Sequence, residues 1–245
     1  MMIKPSTFLA LCACMLIFGA CSNKYQKIPY FQNVNRSAET RKQIENFTAL
    51  TIQKSDILSV NVSSLNPKAY SDSSARDLGY LVDQDGQIQL PLIGNVKVEG
   101  LTTSVAAEQI RKRLTEYLRE PAVNIRMLNF KISILGDVLK PDVFKIPSER
   151  VTVTEALSMA GDLNITARRN NILLIREIDG KREFIPLDLT SGRIFESPYY
   201  YLKNNDVIYV QPDKTKYATV DNSYRSLSLI LSALSIVAIV LTNTL

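Results

Sequence analysis

The sequence predicts an α+β protein of two small α/β modules. An N-terminal lipoprotein signal precedes them and a C-terminal transmembrane helix follows. Three observations carry this reading. Short strand-like runs alternate with two short helical patterns between residues 47 and 213. All three cysteines, Cys12, Cys14 and Cys21, crowd into the first 21 residues. No charged side chain occurs from Ser226 to Leu245. The 245 residues suit two compact modules plus tails, and 46% hydrophobic content supports packed cores.

Composition removes several classes. There is no His, which excludes Ser-His-Asp and Cys-His catalysis and His-ligated zinc. Neither a metal nor a cofactor is expected. With no Trp, any sugar stacking falls to Tyr or Phe. The net charge of +5 is scattered, and no basic stripe points to nucleic acid.

Residues 1–20 read as a signal peptide. Lys4 supplies the positive end and Phe8 to Phe18 the apolar stretch, which is too short to span a bilayer. Phe18-Gly19-Ala20-Cys21 resembles a lipobox, making Cys21 the acylated (palmitate-bearing) residue. Leu11-Cys12-Ala13-Cys14 is a rival, and an ordinary secretory signal with an incidental Cys is another. Ser22 gives no inner-membrane retention signal, so the expected place is the outer membrane. Residues 21–46 are polar and read as a lipid-anchored tether.

The first module is expected over 47–130. Ile57, Leu58, Val60 and Val62 form a strand after the Lys54-Ser55-Asp56 turn. Ser71 to Asp77 is a polar loop. Tyr80-Leu81-Val82 and Ile88, Leu90, Leu92 form a hairpin across Asp83-Gln84-Asp85-Gly86, which Val96 and Val98 continue. Thr103 caps a helix with Ile110, Leu114, Tyr117 and Leu118 on one face, stopped by Glu120-Pro121. Val123, Ile125 and Met127 alternate as a half-buried strand.

The second module is expected over 131–213. Ile132 and Ile134 open it, and Gly136 and Pro141 bracket a turn. Thr152-Val153-Thr154-Glu155 is a capping box before a short helix that Gly161 ends. Ile172 to Arg176 and Glu183 to Asp188 flank the hairpin signal Asp179-Gly180. The last strand covers Asp206 to Val210. An internal echo links the modules: Ile52-x3-Asp56-Ile57-Leu58-x-Val60 matches Leu202-x3-Asp206-Val207-Ile208-x-Val210.

Residues 214–245 hold the second membrane signal. Twenty residues from Ser226 would make a helix of about 30 Å, one hydrocarbon thickness. Ser228, Ser232, Ser235 and Thr242 share one face, opposite Leu227, Leu231, Leu234, Ala238 and Leu241. That polar face suits a lumen inside a ring of helices, or close helix packing, or a buried core helix.

Lys54 to Val60 and the run from Asp85 to Thr102 resemble the opening motifs of outer-membrane polysaccharide export lipoproteins, the Wza-like capsule translocon family. Gly136 to Phe144, Glu155 to Gly161 and Asn205 to Val210 are similar to that family's soluble-ligand-binding β-grasp (SLBB) module. Lys54-Ser55 and Asn204-Asn205 stand where the family usually has Pro-Gly. The resemblance implies a non-enzymatic exporter of capsular or extracellular polysaccharide. It implies a homo-oligomeric periplasmic ring, a helical barrel through the outer membrane with Ser228, Ser232, Ser235 and Thr242 toward its lumen, and an inner-membrane copolymerase as partner. The competing readings are a binding module for a small ligand or glycan with a tail anchor, and an envelope glycosidase.

Three features carry sharper readings beside plain ones. Asp83-x-Asp85-Gly86 looks like the start of a calcium loop, or an acid/base pair, or a hairpin turn. Tyr199-Tyr200-Tyr201 either stacks on sugar rings or leads into a strand with alternate rings buried. Arg111-Lys112-Arg113 and Arg168-Arg169 either attract an anionic polymer or are solvated surface.

Overall fold

The computed structural model describes residues 29–39, 41, 43–65, 79–178, 180–217 and 223–243. Two hydrophobic cores organise them.

In the first module β1 (Ile57–Ser63) lies between β2 (Tyr80–Leu81) and β5 (Ala122–Met127), antiparallel to both. A separate ribbon pairs β3 (Gln87–Leu90) with β4 (Gly94–Lys97). Helix α1 (Thr103–Leu114) buries Ala106, Ile110 and Leu114 on one face, the 3.6-residue spacing of an amphipathic helix. Leu58, Ile88, Val96, Val98 and Ile125 meet that face in a common core. Leu118 joins them, but Tyr117 points out at 55% exposure.

Two expectations are corrected here. The hairpin partner of β3 is β4, with Ile88 opposite Val96, whereas β2 pairs with β1. The Asp83 carboxylate explains the difference. Its Oδ1 accepts from the backbone N–H of Asp85 (2.9 Å) and Gln87 (2.8 Å), occupying a donor that a β2–β3 ladder would need. The reversal instead falls at Pro91 to Ile93, where Leu92 takes φ 68°. The helix cap is Thr102, one residue before the expected Thr103. Thr102 has extended backbone, and its Oγ1 accepts from Val105 N–H at 3.3 Å.

The second module is a five-stranded sheet in the order β7-β6-β10-β8-β9. Its strands are β6 (Lys131–Gly136), β7 (Asp142–Lys145), β8 (Ala167–Ile178), β9 (Lys181–Leu187) and β10 (Val207–Pro212). Two hairpins flank β10, which runs parallel to β6 and antiparallel to β8. Helix α2 (Val153–Met159) covers one face through Val153, Ala156 and Leu157. This is a β-grasp arrangement. Ile132, Ile134, Ile172, Leu174, Ile208 and Val210 alternate inward and are fully buried. The capping box holds: Thr152 Oγ1 accepts from Glu155 N–H (3.2 Å), and Glu155 Oε2 accepts from Thr152 N–H (2.7 Å). Gly136 sits at φ 95°, and a Cβ there would lie 2.1 Å from Val210 O. Only glycine lets β6 and β10 approach closely enough for Asp137 N–H to reach that carbonyl at 2.9 Å.

Helix α3 (Ser223–Asn243) corrects the expected membrane span and, with it, the helical barrel. Among the described residues no helix is long and apolar enough to cross a membrane. Helix α3 runs for 21 residues, but its apolar stretch is not continuous. Serines interrupt it. Ser232 Oγ donates to Ser228 O (2.8 Å) and Ser235 Oγ to Ser232 O (2.7 Å). Those hydroxyls are satisfied by their own helix and need no water-filled lumen.

Candidate functional site

The echoed sequences fold into the same turn twice. Asp56 Oδ2 accepts from Gln53 N–H at 2.7 Å, and Asp206 Oδ2 accepts from Lys203 N–H at 2.7 Å. In each turn the residue before the aspartate is left-handed, with φ 69° at Ser55 and 65° at Asn205. Ile52 and Leu202 anchor the turns in the two cores.

The two turns also touch. Asn204 Nδ2 donates to Asp56 Oδ1 at 2.8 Å, and Asn204 Oδ1 accepts from Lys131 N–H at 3.0 Å. Asn129 completes the joint, donating to Ser55 O (3.0 Å) and accepting from Ile57 N–H (2.9 Å). A polar knot, buried at its Asp56–Asn204 contact, therefore ties module to module. Sequence reasoning missed Asn129 and Asn204, and the echo was the one signal that pointed toward the second. Burial pushes the Asp56 carboxyl up, against the opposing hydrogen bonds from Gln53 N–H and Asn204. Asp206 has a different partner. Arg176 grips it with Nε to Oδ1 at 2.9 Å and Nη2 to Oδ2 at 2.6 Å, with both side chains almost wholly buried.

A cavity of about 160 Å³ opens beside Arg176. Phe47, Tyr199, Tyr201, Arg150, Lys203 and Glu149 line it. The Phe47 and Tyr201 rings meet edge-on at 5.3 Å, and Arg150 sits 6.0 Å over Tyr201. The tyrosine run does not lead into a strand with alternate rings buried. All three rings are half-buried, and Tyr201 bridges to Thr152.

The expected tether is partly docked. Phe31 N–H donates to Leu189 O (3.1 Å) and Gln32 N–H to Thr190 O (2.7 Å), so residues 30–33 lie along the second module. The Tyr30 hydroxyl bonds Asp162, and the Arg169 guanidinium lies 5.3 Å from the Tyr30 ring. Burial, then the Asp162 carboxylate, raises the Tyr30 phenol to about 12. Arg169, expected at the surface, is buried, donating to Ala167 O and Leu163 O, each at 3.2 Å. Arg168 stays exposed and Arg111 pairs with Glu108 at 2.7 Å.

Beyond the last strand, Lys216 Nζ reaches the buried Asp137 at 2.7 Å, joined by Thr166 (2.6 Å) and Asn164 (3.0 Å). Burial pushes the Asp137 carboxyl up, but these three donors together hold it below its usual range. Cys21 and the Ser71–Asp77 loop lie outside the described residues, as does the side chain of Thr242. Asp83 and Asp85 sit in the turn that connects β2 to β3, and no group of three metal-binding side chains occurs among the described residues.

A helix-backed module joined to a β-grasp module by polar groups defines a two-module α/β protein. Comparison with known proteins makes the class specific. Residues 45–128 match the polysaccharide biosynthesis/export protein family and residues 130–210 match the SLBB domain. The chain belongs to the polysaccharide export protein family, a transport family and not a catalytic one. It is 27% identical over 183 residues to the EPS I polysaccharide export outer membrane protein EpsA of Ralstonia solanacearum, covering 67% of this chain and 48% of that protein. With the EpsA of Ralstonia nicotianae it shares 25% over 198 residues, 74% of this chain and 52% of the relative. The exopolysaccharide production protein ExoF of Rhizobium meliloti is 30% identical over 99 residues, 39% of this chain and 23% of that protein. The chain thus spans about half the length of the EpsA proteins it matches.

Proposed function

We propose that the chain is a periplasm-facing lipoprotein that binds and guides a capsular or extracellular polysaccharide during export. The observation that carries the reading is the pairing of an export-family module with an SLBB module through one polar joint with a buried centre. Two separately tethered domains would wander relative to one another. That joint fixes their relation, as a surface that guides a polymer requires. Cys21 carries the acyl anchor and holds the chain to outer-membrane lipids. The working partners are the polymer, further copies of the chain and an inner-membrane copolymerase.

The test is made in the host. Removing the chain abolishes surface polysaccharide, and the full chain restores it; normal surface polymer without the chain sinks the reading. A fatty-acid analogue labels the wild type and not Cys21→Ser. Label that persists in the variant moves the anchor to Cys14.

A further inference from the structure

We propose that the cavity beside the tyrosine run is a subsite for one carboxylate-bearing sugar ring, such as a uronic acid unit. The inference rests on the export reading above and adds the chemistry of the polymer. Size is the first argument. About 160 Å³ falls below the roughly 300–1,000 Å³ of sites for drug-sized ligands, so the cavity suits one ring and not an oligosaccharide.

Charge is the second argument. Of the three cations in the lining, Arg176 is committed to Asp206 through Nε and Nη2. Arg150 and Lys203 remain, against the single carboxylate of Glu149. Neither is in an ion pair with any described residue, whereas Arg111 and Arg182 take carboxylates at 2.7 and 2.5 Å. A carboxylate on the sugar would supply the missing counter-charge.

Shape and rigidity complete the case. Phe47 is 52% exposed, so its ring offers aromatic surface to the C–H face of a pyranose, while the half-buried Tyr199 and Tyr201 rings already carry Arg176 and Arg150 at 5.6 and 6.0 Å. The cations ride on paired backbone. Leu202 N–H donates to Val151 O and Val153 N–H to Tyr200 O, both at 2.9 Å, which fixes the segment carrying Lys203 beside the one carrying Arg150. Arg176 also donates to Tyr201 O at 3.1 Å. The wall is therefore built before a ligand arrives, which lowers the ordering cost of binding.

The full-length protein in detergent is titrated with digalacturonate and with maltose by calorimetry. Digalacturonate should bind at least about tenfold tighter than maltose, and about 0.5 M salt should remove most of that advantage. The double variant Arg150→Ala/Lys203→Ala should lose about tenfold for digalacturonate and nothing for maltose. Arg150 is exposed and Lys203 half-exposed, so the fold should persist, checked by an unchanged unfolding midpoint. Phe47→Ala, at an exposed ring, should weaken digalacturonate without altering its salt dependence. Equal affinity for the two sugars, or an unaffected double variant, overturns the proposal. Either result leaves the export reading standing if removal of the chain still abolishes surface polymer.

Discussion

The turns at Asp56 and Asp206 share sequence, backbone and local hydrogen bonds, and differ in what neutralises them. Asp206 meets a buried guanidinium; Asp56 meets the neutral amide of Asn204. Local sequence therefore sets the turn, while a partner distant in sequence sets its energetics. An ion pair holds the second turn inside its own module. A polar but uncharged contact lets the first turn serve as a joint.

Breaking the charged member should cost most. Arg176→Met leaves Asp206 buried without a counter-ion and should lower stability by about 3–5 kcal/mol, read from urea denaturation. Adding Asp206→Asn should recover much of that loss, because no charge is then stranded. A loss near zero for Arg176→Met would erase the distinction between the turns. Asn204→Ala removes one neutral donor and one acceptor and should cost about 1–3 kcal/mol. It should also loosen one module against the other, seen as faster amide exchange at Lys131 and Asn205.

The pH response separates the turns further. Asp56 has its pKa raised, so the folded state holds the proton to higher pH than the unfolded chain does. Its stabilising contribution is present below the ordinary 3.8 and is lost as pH rises through the higher folded value. Asp137 runs the other way. Its depressed pKa contributes stability above 3.8 that is lost as pH falls through the lower folded value. Asp56→Asn should flatten the first trend and Lys216→Ala the second, in unfolding curves taken across about pH 2 to 7. Flattening of the same limb by both would refute the assignment.

The smallest effect concerns the left-handed residues. Ser55→Gly should stabilise by about 0.5–1 kcal/mol, and Asn205→Gly by less, since asparagine tolerates positive φ better than serine. Equal gains, read from denaturation midpoints, would show that asparagine brings no relief at this backbone.

Much of the fold was legible because its signals are local. The capping box, the β8–β9 hairpin and the alternating strands each lie within a few residues, although Asp179 itself lies outside the described residues. The aspartate turns were visible as an echo. What escaped depends on partners far along the chain. Arg169 looks like surface until Tyr30 covers it, 139 positions away in sequence (169 − 30). Asn129 looks like linker until the Asp56 turn closes on it. The β2–β3 hairpin failed for a local reason, because one carboxylate took up a backbone donor. The C-terminal helix was read from its length, its lack of charge and the face its serines share, none of which registers serines bonding back to their own helix.

The docked segment at Tyr30 shortens a leash. An undocked tether running from Cys21 to Thr51 could extend about 100 Å, enough to let the modules roam far from any membrane holding the acyl group. With Tyr30 pinned against Asp162 and Arg169, nine residue steps separate it from Cys21 (30 − 21), a reach of at most about 30 Å. An acylated Cys21 would then keep the β-grasp module within one small-domain diameter of the lipid surface. The export-family module, joined to the β-grasp module by the short link at 128–130 as well as by the polar joint, would be carried with it.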